Sequence, residues 1–142
     1  MSLQVAFSTC GAVPSLSRDD LLAIAPLRER GIEVVPWLWQ APAPPPGVNA
    51  VVHRSCWDYH EKTAAFRAWL DALAASGLPS FNSPALTAWN LVLMELEAID
   101  PELFLALDPA APQRFADSIA RALAPAQGLR AFSPASARST SW

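Results

Sequence analysis

Short apolar runs alternate with segments of helical apolar spacing in the first part of the chain. Four apolar runs bounded by turn residues predict buried β-strands at residues 5–8, 32–37, 49–54 and 79–82. Apolar residues three and four positions apart predict helices at residues 17–30 and 61–76. This strand–helix–strand order is typical of a parallel sheet joined by right-handed crossovers. The pattern therefore predicts an α/β fold with a Rossmann-like parallel sheet flanked by helices.

The first predicted helix carries recognisable end signals. Ser17 is a candidate N-cap, and the negative charges of Asp19 and Asp20 in the first turn suit the positive end of the helix dipole. Gly31 follows as a C-cap, whereas Pro26 would normally kink a helix at its position. These signals predict a helix that directly follows the loop after the first strand.

The pattern of apolar and polar residues along the chain changes after Asn90. Alternating apolar and acidic residues predict a strand over residues 91–99, which we expect at an edge of the sheet. Ala111–Leu123 has the spacing of an amphipathic helix, and residues 124–142 lack periodicity and predict a frayed or disordered tail. We therefore divide the chain into residues 1–90, 91–123 and 124–142.

Composition narrows the class of protein. The chain has 142 residues, a formal net charge of −3 and ten scattered basic residues, of which only Lys62 is a lysine. This charge pattern indicates no nucleic-acid partner. No apolar run is long enough for a membrane span, no signal peptide is visible, and the two cysteines form no C-x-x-C pair. The expectation is a cytoplasmic protein with reduced thiols.

A polar run follows the third predicted strand at residues 54–59. Ligands of open parallel sheets bind outside the carboxyl ends of the strands, where this run is expected to lie. Arg54 could pair with a carboxylate or phosphate, Ser55 could donate a hydrogen bond, and Asp58 could hold an amine. Trp57 could supply an apolar wall, and Thr9 ends the first strand at the same edge of the sheet.

A purely structural interpretation of this run remains open. Asp58 could cap the next helix, Trp57 could pack, and Arg54 could pair with a surface acid. Neither His53 nor His60 lies in a nucleophile–base pattern, so no catalytic residue is assigned. The second polar loop at the end of the first strand favours a binding site.

Several motifs give the chain a resemblance to a known family. They are A-F-S-T-C at residues 6–10, D-D-L-L at 19–22, V-V-H-R-S-C-W-D-Y-H at 51–60, F-R-A-W-L-D at 66–71 and N-S-P-A-L-T-A-W-N at 82–90. In order and spacing they resemble the pre-ATP-grasp domain of ATP-grasp ligases of the prokaryotic glutathione synthetase-like and cycloserine-biosynthesis group. The resemblance implies an α/β unit that helps to bind a small carboxylate or amino-acid-like substrate, and a possible homodimer.

A later segment is similar to the end of the catalytic domain of the same group. It comprises V-L-M-E-L-E-A-I-D-P-E-L-F-L at residues 92–105 and R-F-A-D-S-I-A at 114–120. The resemblance implies that Glu95 and Glu97 would bind the Mg²⁺ that bridges ATP phosphates. Without the family, an edge strand with a solvated acidic face is the simpler interpretation of these two residues.

The resemblance also implies an internal deletion. In the family, the Trp-Asn motif leads to an ATP-contacting lysine and a lid subdomain, whereas here Trp89-Asn90 continues directly into residues 91–99. The family reaction forms an acyl phosphate from a carboxylate and ATP, which an amine then attacks. We expect the present chain to lack this activity. The alternative is a non-catalytic α/β module that binds a small ligand or a partner protein.

Overall fold

The computed structural model describes residues 3–93 and 105–124. Its centre is a four-stranded, all-parallel sheet with the strand order β2-β1-β3-β4. The strands are β1 (Leu3–Thr9), β2 (Ile32–Leu38), β3 (Ala50–Ser55) and β4 (Ser80–Phe81). The predicted α/β fold with a parallel sheet is therefore confirmed.

Within the described residues, four α-helices accompany the sheet. They are α1 (Arg18–Arg28), α2 (Thr63–Ser76), α3 (Pro84–Leu93) and α4 (Ala111–Leu123). Short 3₁₀ turns lie at Trp57–Glu61 and Leu105–Leu107. Within these described ranges no helix is long and apolar enough to cross a membrane.

Each face of the sheet is covered by a separate apolar core. On one face, α1 and α4 pack on the alternate residues Val5, Phe7 and Val52. On the other face, α2 packs on Ala6, Val51 and an aromatic cluster. That cluster contains edge-to-face pairs, with ring centroids 5.3 Å apart for Trp37 and Trp69 and 5.1 Å for Trp39 and Phe66. Such pairs contribute roughly 0.5–1.5 kcal/mol each beyond burial.

Helix α1 begins and ends as its sequence predicts. Ser17 and Asp20 form a capping box, in which each side chain bonds the backbone N–H of the other residue. Pro26 is accommodated inside the helix, and Arg30 Nη1 donates to the Pro26 carbonyl over 2.7 Å. Gly31 follows with a φ of +73°, a conformation that favours glycine.

The strand predicted over residues 91–99 is wrong at its beginning, because α3 runs through residues 91–93. Pro84 is the first residue of α3, where the missing proline N–H leaves no intrahelical bond unmade. Ser83 Oγ accepts a hydrogen bond from the Leu86 N–H over 3.2 Å, as an N-cap does. The Ser83-Pro84 pair starts a helix here, and residues 94–99 lie outside the described residues.

Candidate functional site

A cavity of about 810 Å³ opens at the carboxyl ends of β1 and β3. Its walls come from the β1–α1 loop, the start of α1, the end of β3 and the 3₁₀ turn that follows. The lining residues are Val13, Leu16, Ser17, Arg18, Asp19, Arg54, Ser55, Trp57, Tyr59 and His60. The volume lies within the range of roughly 300–1,000 Å³ that is usual for small-molecule sites.

The topology of the sheet explains this position. From β1 the chain crosses to β2 on one side, and it then returns to place β3 on the other side of β1. The loops that follow β1 and β3 therefore diverge and leave a crevice between them, which is where open α/β sheets bind ligands. The cavity occupies the switch point of this sheet.

Asp20 organises the wall of the cavity, although its own side chain is fully buried. Asp20 Oδ2 accepts hydrogen bonds from Ser17 Oγ over 2.8 Å and from Ser55 Oγ over 2.7 Å. Asp20 Oδ1 accepts from Arg54 Nε over 2.5 Å. One carboxylate thus joins the start of α1 to the end of β3.

Arg54 is buried with its carboxylate partners. Its side chain is 4% exposed, and Nη2 lies 3.4 Å from Asp19 Oδ2 in addition to the Nε contact with Asp20. Two buried opposite charges hold together only when their hydrogen bonds replace lost hydration, as these contacts do. The positive charge of Arg54 is therefore balanced from within the protein.

The charges that face the cavity from α1 are of opposite sign. Arg18 is exposed and Asp19 is half-buried, and both line the cavity next to the hydroxyl groups of Ser17 and Ser55. Trp57 is 41% exposed and forms an apolar wall with Tyr59. The arrangement can accept a molecule with one cationic and one anionic group beside a short apolar part.

Three of the five predicted substrate-binding residues line the cavity: Arg54, Ser55 and Trp57. Thr9 is fully buried and donates to the Val13 carbonyl over 2.8 Å, so it holds the loop that forms one wall. Asp58 is also absent from the lining.

Asp58 joins the 3₁₀ turn to the residues that follow β2. Its carboxylate accepts hydrogen bonds from Trp39 Nε1 over 2.7 Å, Gln40 Nε2 over 2.6 Å and Lys62 Nζ over 2.7 Å. Partial desolvation raises the pKa of Asp58, but the hydrogen bonds from Lys62, Trp39 and Gln40 outweigh it and hold the pKa below its usual value. The residue therefore fixes the turn that carries Trp57 and Tyr59.

Leu16 lines the cavity in an unusual backbone conformation. Its φ is +76°, in the left-handed region that costs an ordinary residue roughly 1–2 kcal/mol, and its side chain is 8% exposed. The buried apolar side chain offsets this cost. A strained residue at a cavity wall is a common feature of functional loops.

Sequence reasoning assigned Ser17, Asp19 and Asp20 to helix capping and did not place them at the site. The signal was present, because Ser17 and Asp20 are three positions apart at a helix start that follows a strand end. Their second role depends on contacts with β3, which are distant in sequence.

His53 lies below the cavity and is not among its lining residues. Its Nε2 is 2.9 Å from Ser80 Oγ, its Nδ1 is 3.4 Å from Ser8 Oγ, and its ring packs on Trp69. Desolvation by burial lowers the pKa of His53 from 6.5 to about 4. His53 is therefore a neutral residue of the core at neutral pH.

The predicted magnesium ligands Glu95 and Glu97 lie outside the described residues. Within residues 3–93 and 105–124, no group of three or more His, Cys, Asp or Glu side chains could hold a metal ion. The described residues therefore do not supply the phosphate-bridging metal site that the family resemblance implies.

Comparison with known proteins gives a family match. The family described as "D-cycloserine synthetase DcsG, N-terminal domain" matches residues 5–82, more than half of the chain. Among solved structures, the crystal structure of D-cycloserine synthetase DcsG is similar, with a TM-score of 0.54 and 22% identity. The similarity covers 62% of this chain and 30% of that one, and at this identity it shows the fold alone. No curated protein matches.

The family range begins within β1 and includes β2 to β4, both loops of the switch point and every residue that lines the cavity. Helix α4 lies beyond it. The ligase resemblance seen in the sequence motifs is thus confirmed at the level of the family. The chain belongs to the D-cycloserine synthetase DcsG N-terminal domain family and is a relative of that ligase.

Proposed function

We propose that this chain is an internally deleted relative of the ATP-grasp carboxylate–amine ligases that keeps a small-ligand cavity and does not itself catalyse ligation. The ligand class is a small amino-acid-like carboxylate. The observation that carries this proposal is the switch-point cavity, whose wall presents Arg18 and Asp19 from α1 beside Ser17 and Ser55.

Charge balance supports a zwitterion over a simple anion. The fully buried carboxylate of Asp20 already matches the charge of the Arg54 guanidinium, so Asp19, 3.4 Å from Arg54 Nη2, supplies a second negative charge at the cavity. Arg18 is the cation available at the more exposed wall, and Asp19 is the anion next to it. An α-amino acid carries both complementary charges, and the aromatic wall of Trp57 and Tyr59 suits a short side chain or an ammonium group.

Titration of the ¹⁵N-labelled protein with small probes tests the ligand class. Glycine and serine carry both charges, whereas acetate and ethylamine carry one each. We expect backbone shifts at Arg18, Asp19 and Ser55 with the two amino acids, and weaker or no shifts with the singly charged probes. Equal responses to all four probes, or none to either amino acid, would contradict the proposal.

Matched variants assign the two charges. Arg18→Gln should weaken the response to amino acids, and Asp19→Asn should weaken it as well. Arg67→Gln, on the exposed surface of α2, removes the same charge away from the cavity and should leave the response unchanged. A response that survives both cavity variants would exclude Arg18 and Asp19 as ligand contacts.

The scarcity of cationic groups that could neutralise phosphate supports the proposed lack of ligation. Phosphoryl transfer depends on positioning the phosphates and neutralising their charge. The one lysine, Lys62, donates to Asp58 over 2.7 Å, and the five glycines of the chain form no cluster. The purified chain, incubated with ATP, Mg²⁺ and amino acids, should release no more phosphate than its Glu95→Gln variant. Clear release above that control would overturn this part of the proposal.

Residual Mg-ATP binding is a second candidate function, which is favoured by the E-x-E motif of Glu95 and Glu97. These carboxylates would hold Mg²⁺, which would neutralise phosphate charge when bound. Calorimetric titration with Mg-ATP separates the two candidates. Heat that is lost in the Glu95→Gln variant would favour this second candidate, whereas no heat with the parent chain would exclude it.

A further inference from the structure

Helix α4 lies beyond the family-matched residues 5–82 and yet packs on the sheet face that carries α1. The ring of Phe115 meets the ring of Phe7 edge-on, with centroids 6.3 Å apart. Arg30 Nη2 lies 2.7 Å from Asp117 Oδ1, and Ile119 is buried between the two helices and the sheet. The helix is therefore an integral part of this core.

Phe115 also reaches the wall of the cavity. The Cζ atom of Arg54 lies over the Phe115 ring, 5.4 Å from its centroid. Arg54 is 4% exposed, so the guanidinium is desolvated and its attraction to the ring is near the upper end for such contacts. A planar guanidinium can donate from its edge while it stacks through its face. Arg54 donates from Nε to Asp20 while its Cζ lies over the Phe115 ring.

We infer that Phe115 is a positioning residue of the cavity, which holds Arg54 in place and through Arg54 and Asp20 fixes the start of α1. Arg54 lines the cavity, and Asp20 bonds both Ser17 and Ser55 of the cavity wall. The contacts form a continuous path from α4 to the wall that carries Arg18 and Asp19. A segment outside the family-matched residues thereby supports the wall of the cavity.

This inference goes beyond the proposed function, since it concerns how the wall is built and not which molecule occupies it. The competing explanation is that Phe115 only fills space against Phe7. The two explanations differ in what they require of residue 115. A positioning role through Arg54 requires an aromatic face, whereas space filling requires apolar volume.

Two NMR readouts of the full chain test the inference in three variants. The first readout is exchange of the Arg54 Nε–H with water, compared with exchange of the backbone amides of α4. The second is the backbone shifts of Arg18 and Asp19. Phe115→Leu removes the aromatic face, Phe115→Tyr keeps it, and Ile119→Ala weakens α4 packing while it keeps the Phe115 ring that lies against Arg54.

We expect Phe115→Leu to speed Nε–H exchange roughly 3- to 30-fold relative to the α4 amides and to shift Arg18 and Asp19. Phe115→Tyr should keep both readouts near those of the parent chain. Ile119→Ala should speed the α4 amides without a separate gain at Arg54. If Phe115→Leu does not fold, Phe115→Met serves as the ring-free variant.

The inference is overturned if exchange of the Arg54 Nε–H and of the α4 amides accelerates in proportion in both Phe115→Leu and Ile119→Ala. It is also overturned if Arg18 and Asp19 keep their shifts without the ring. Neither outcome depends on a bound ligand, so the test is separate from the amino-acid titrations above.

Discussion

Ser55 Oγ and Asp20 Oδ2 are 2.7 Å apart, although 35 positions separate the two residues in the chain. The contact joins the last residue of β3 to the first turn of α1. The same carboxylate is bonded to the Arg54 guanidinium through its other oxygen. The Asp20 side chain thus both stabilises the cavity wall and pairs with the buried charge of Arg54.

Asp20→Asn should strongly destabilise the fold. The substitution leaves the Arg54 guanidinium buried without its nearest negative charge, which costs about 3–5 kcal/mol in comparable buried pairs. Urea unfolding at neutral pH measures the loss. Asp19→Asn is the control, because its contact with Arg54 is 3.4 Å long and half-buried, and it should cost less than about 1 kcal/mol. Equal losses in the two variants would refute the central role of Asp20.

A double variant separates charge pairing from packing. Asp20→Asn combined with Arg54→Met removes both partners, so no charge remains buried alone. We expect its loss of unfolding free energy to be smaller than the sum of the two single losses, by about 0.5–3 kcal/mol. Strict additivity in the same urea titrations would show that the two residues contribute independently.

Asp58→Ala should lower stability by about 1–3 kcal/mol, because Trp39 Nε1 would then be left buried without an acceptor. The exposed 3₁₀ turn should also loosen, which faster amide exchange at Trp57 and Tyr59 would report. Lys62→Ala is the matched control, since it removes an exposed partner and keeps the Trp39 hydrogen bond. A larger loss in Lys62→Ala than in Asp58→Ala would contradict the assignment.

Stability should fall as the pH decreases from about 6.5 to about 4, since burial lowers the pKa of His53 to about 4. Over this window the unfolded chain takes up a proton at His53 and the folded chain does not, so protonation favours unfolding. One pKa unit corresponds to about 1.36 kcal/mol, so the lowered pKa of His53 makes the loss of unfolding free energy about 3 kcal/mol.

The test is the slope of unfolding free energy against pH. His53→Gln should flatten the slope between pH 6.5 and 4 even if its absolute stability is lower. A slope unchanged by His53→Gln would assign the pH dependence to other groups.

Gly77→Ala should cost about 1 kcal/mol, because Gly77 ends α2 with a φ of +70° and no neighbouring atom limits the added methyl group. The cost therefore lies in the backbone alone. Gly11→Ala is the matched control at a position with equal space and no left-handed φ, where the change should be neutral or slightly stabilising. The melting temperature should fall in Gly77→Ala and stay constant or rise slightly in Gly11→Ala. Equal shifts in the two variants would exclude the backbone explanation.

The order of strands and helices could be predicted because it depends on local patterns. Apolar runs mark the four strands, and Ser17 and Gly31 mark the limits of α1. The sequence pattern did not predict helix α3. A proline such as Pro84 can follow the end of a strand or begin a helix, and the apolar pattern around it is the same in both cases. The bonds from the Leu86 N–H to Ser83 Oγ and from the Thr87 N–H to the Ser83 carbonyl distinguish a helix start from a strand end, and they form only in the folded chain.

The sequence predicted a polar run at the edge of the sheet where the cavity lies, but it could not separate the residues that line the cavity from those that support it. Their position after β3 was sufficient to predict that Arg54, Ser55 and Trp57 lie at this edge, whereas their binding of a substrate stays a prediction. The separation of Asp58 from the cavity depends on Trp39, which arrives from the end of β2. The contribution of Phe115 depends on a helix that folds back over the first core. Pairings between residues so far apart in sequence leave no periodic signal in the chain.

The strand order β2-β1-β3-β4 also constrains how the sheet is assembled. β1 pairs with β2 on one side and with β3 on the other, and the proline-rich residues 40–47 lie between β2 and β3 in the chain. Until β3 is in place, one edge of β1 has no partner in its own chain and can pair with another chain. An intermediate with β1 and β2 paired and β3 still absent is therefore the species most open to aggregation.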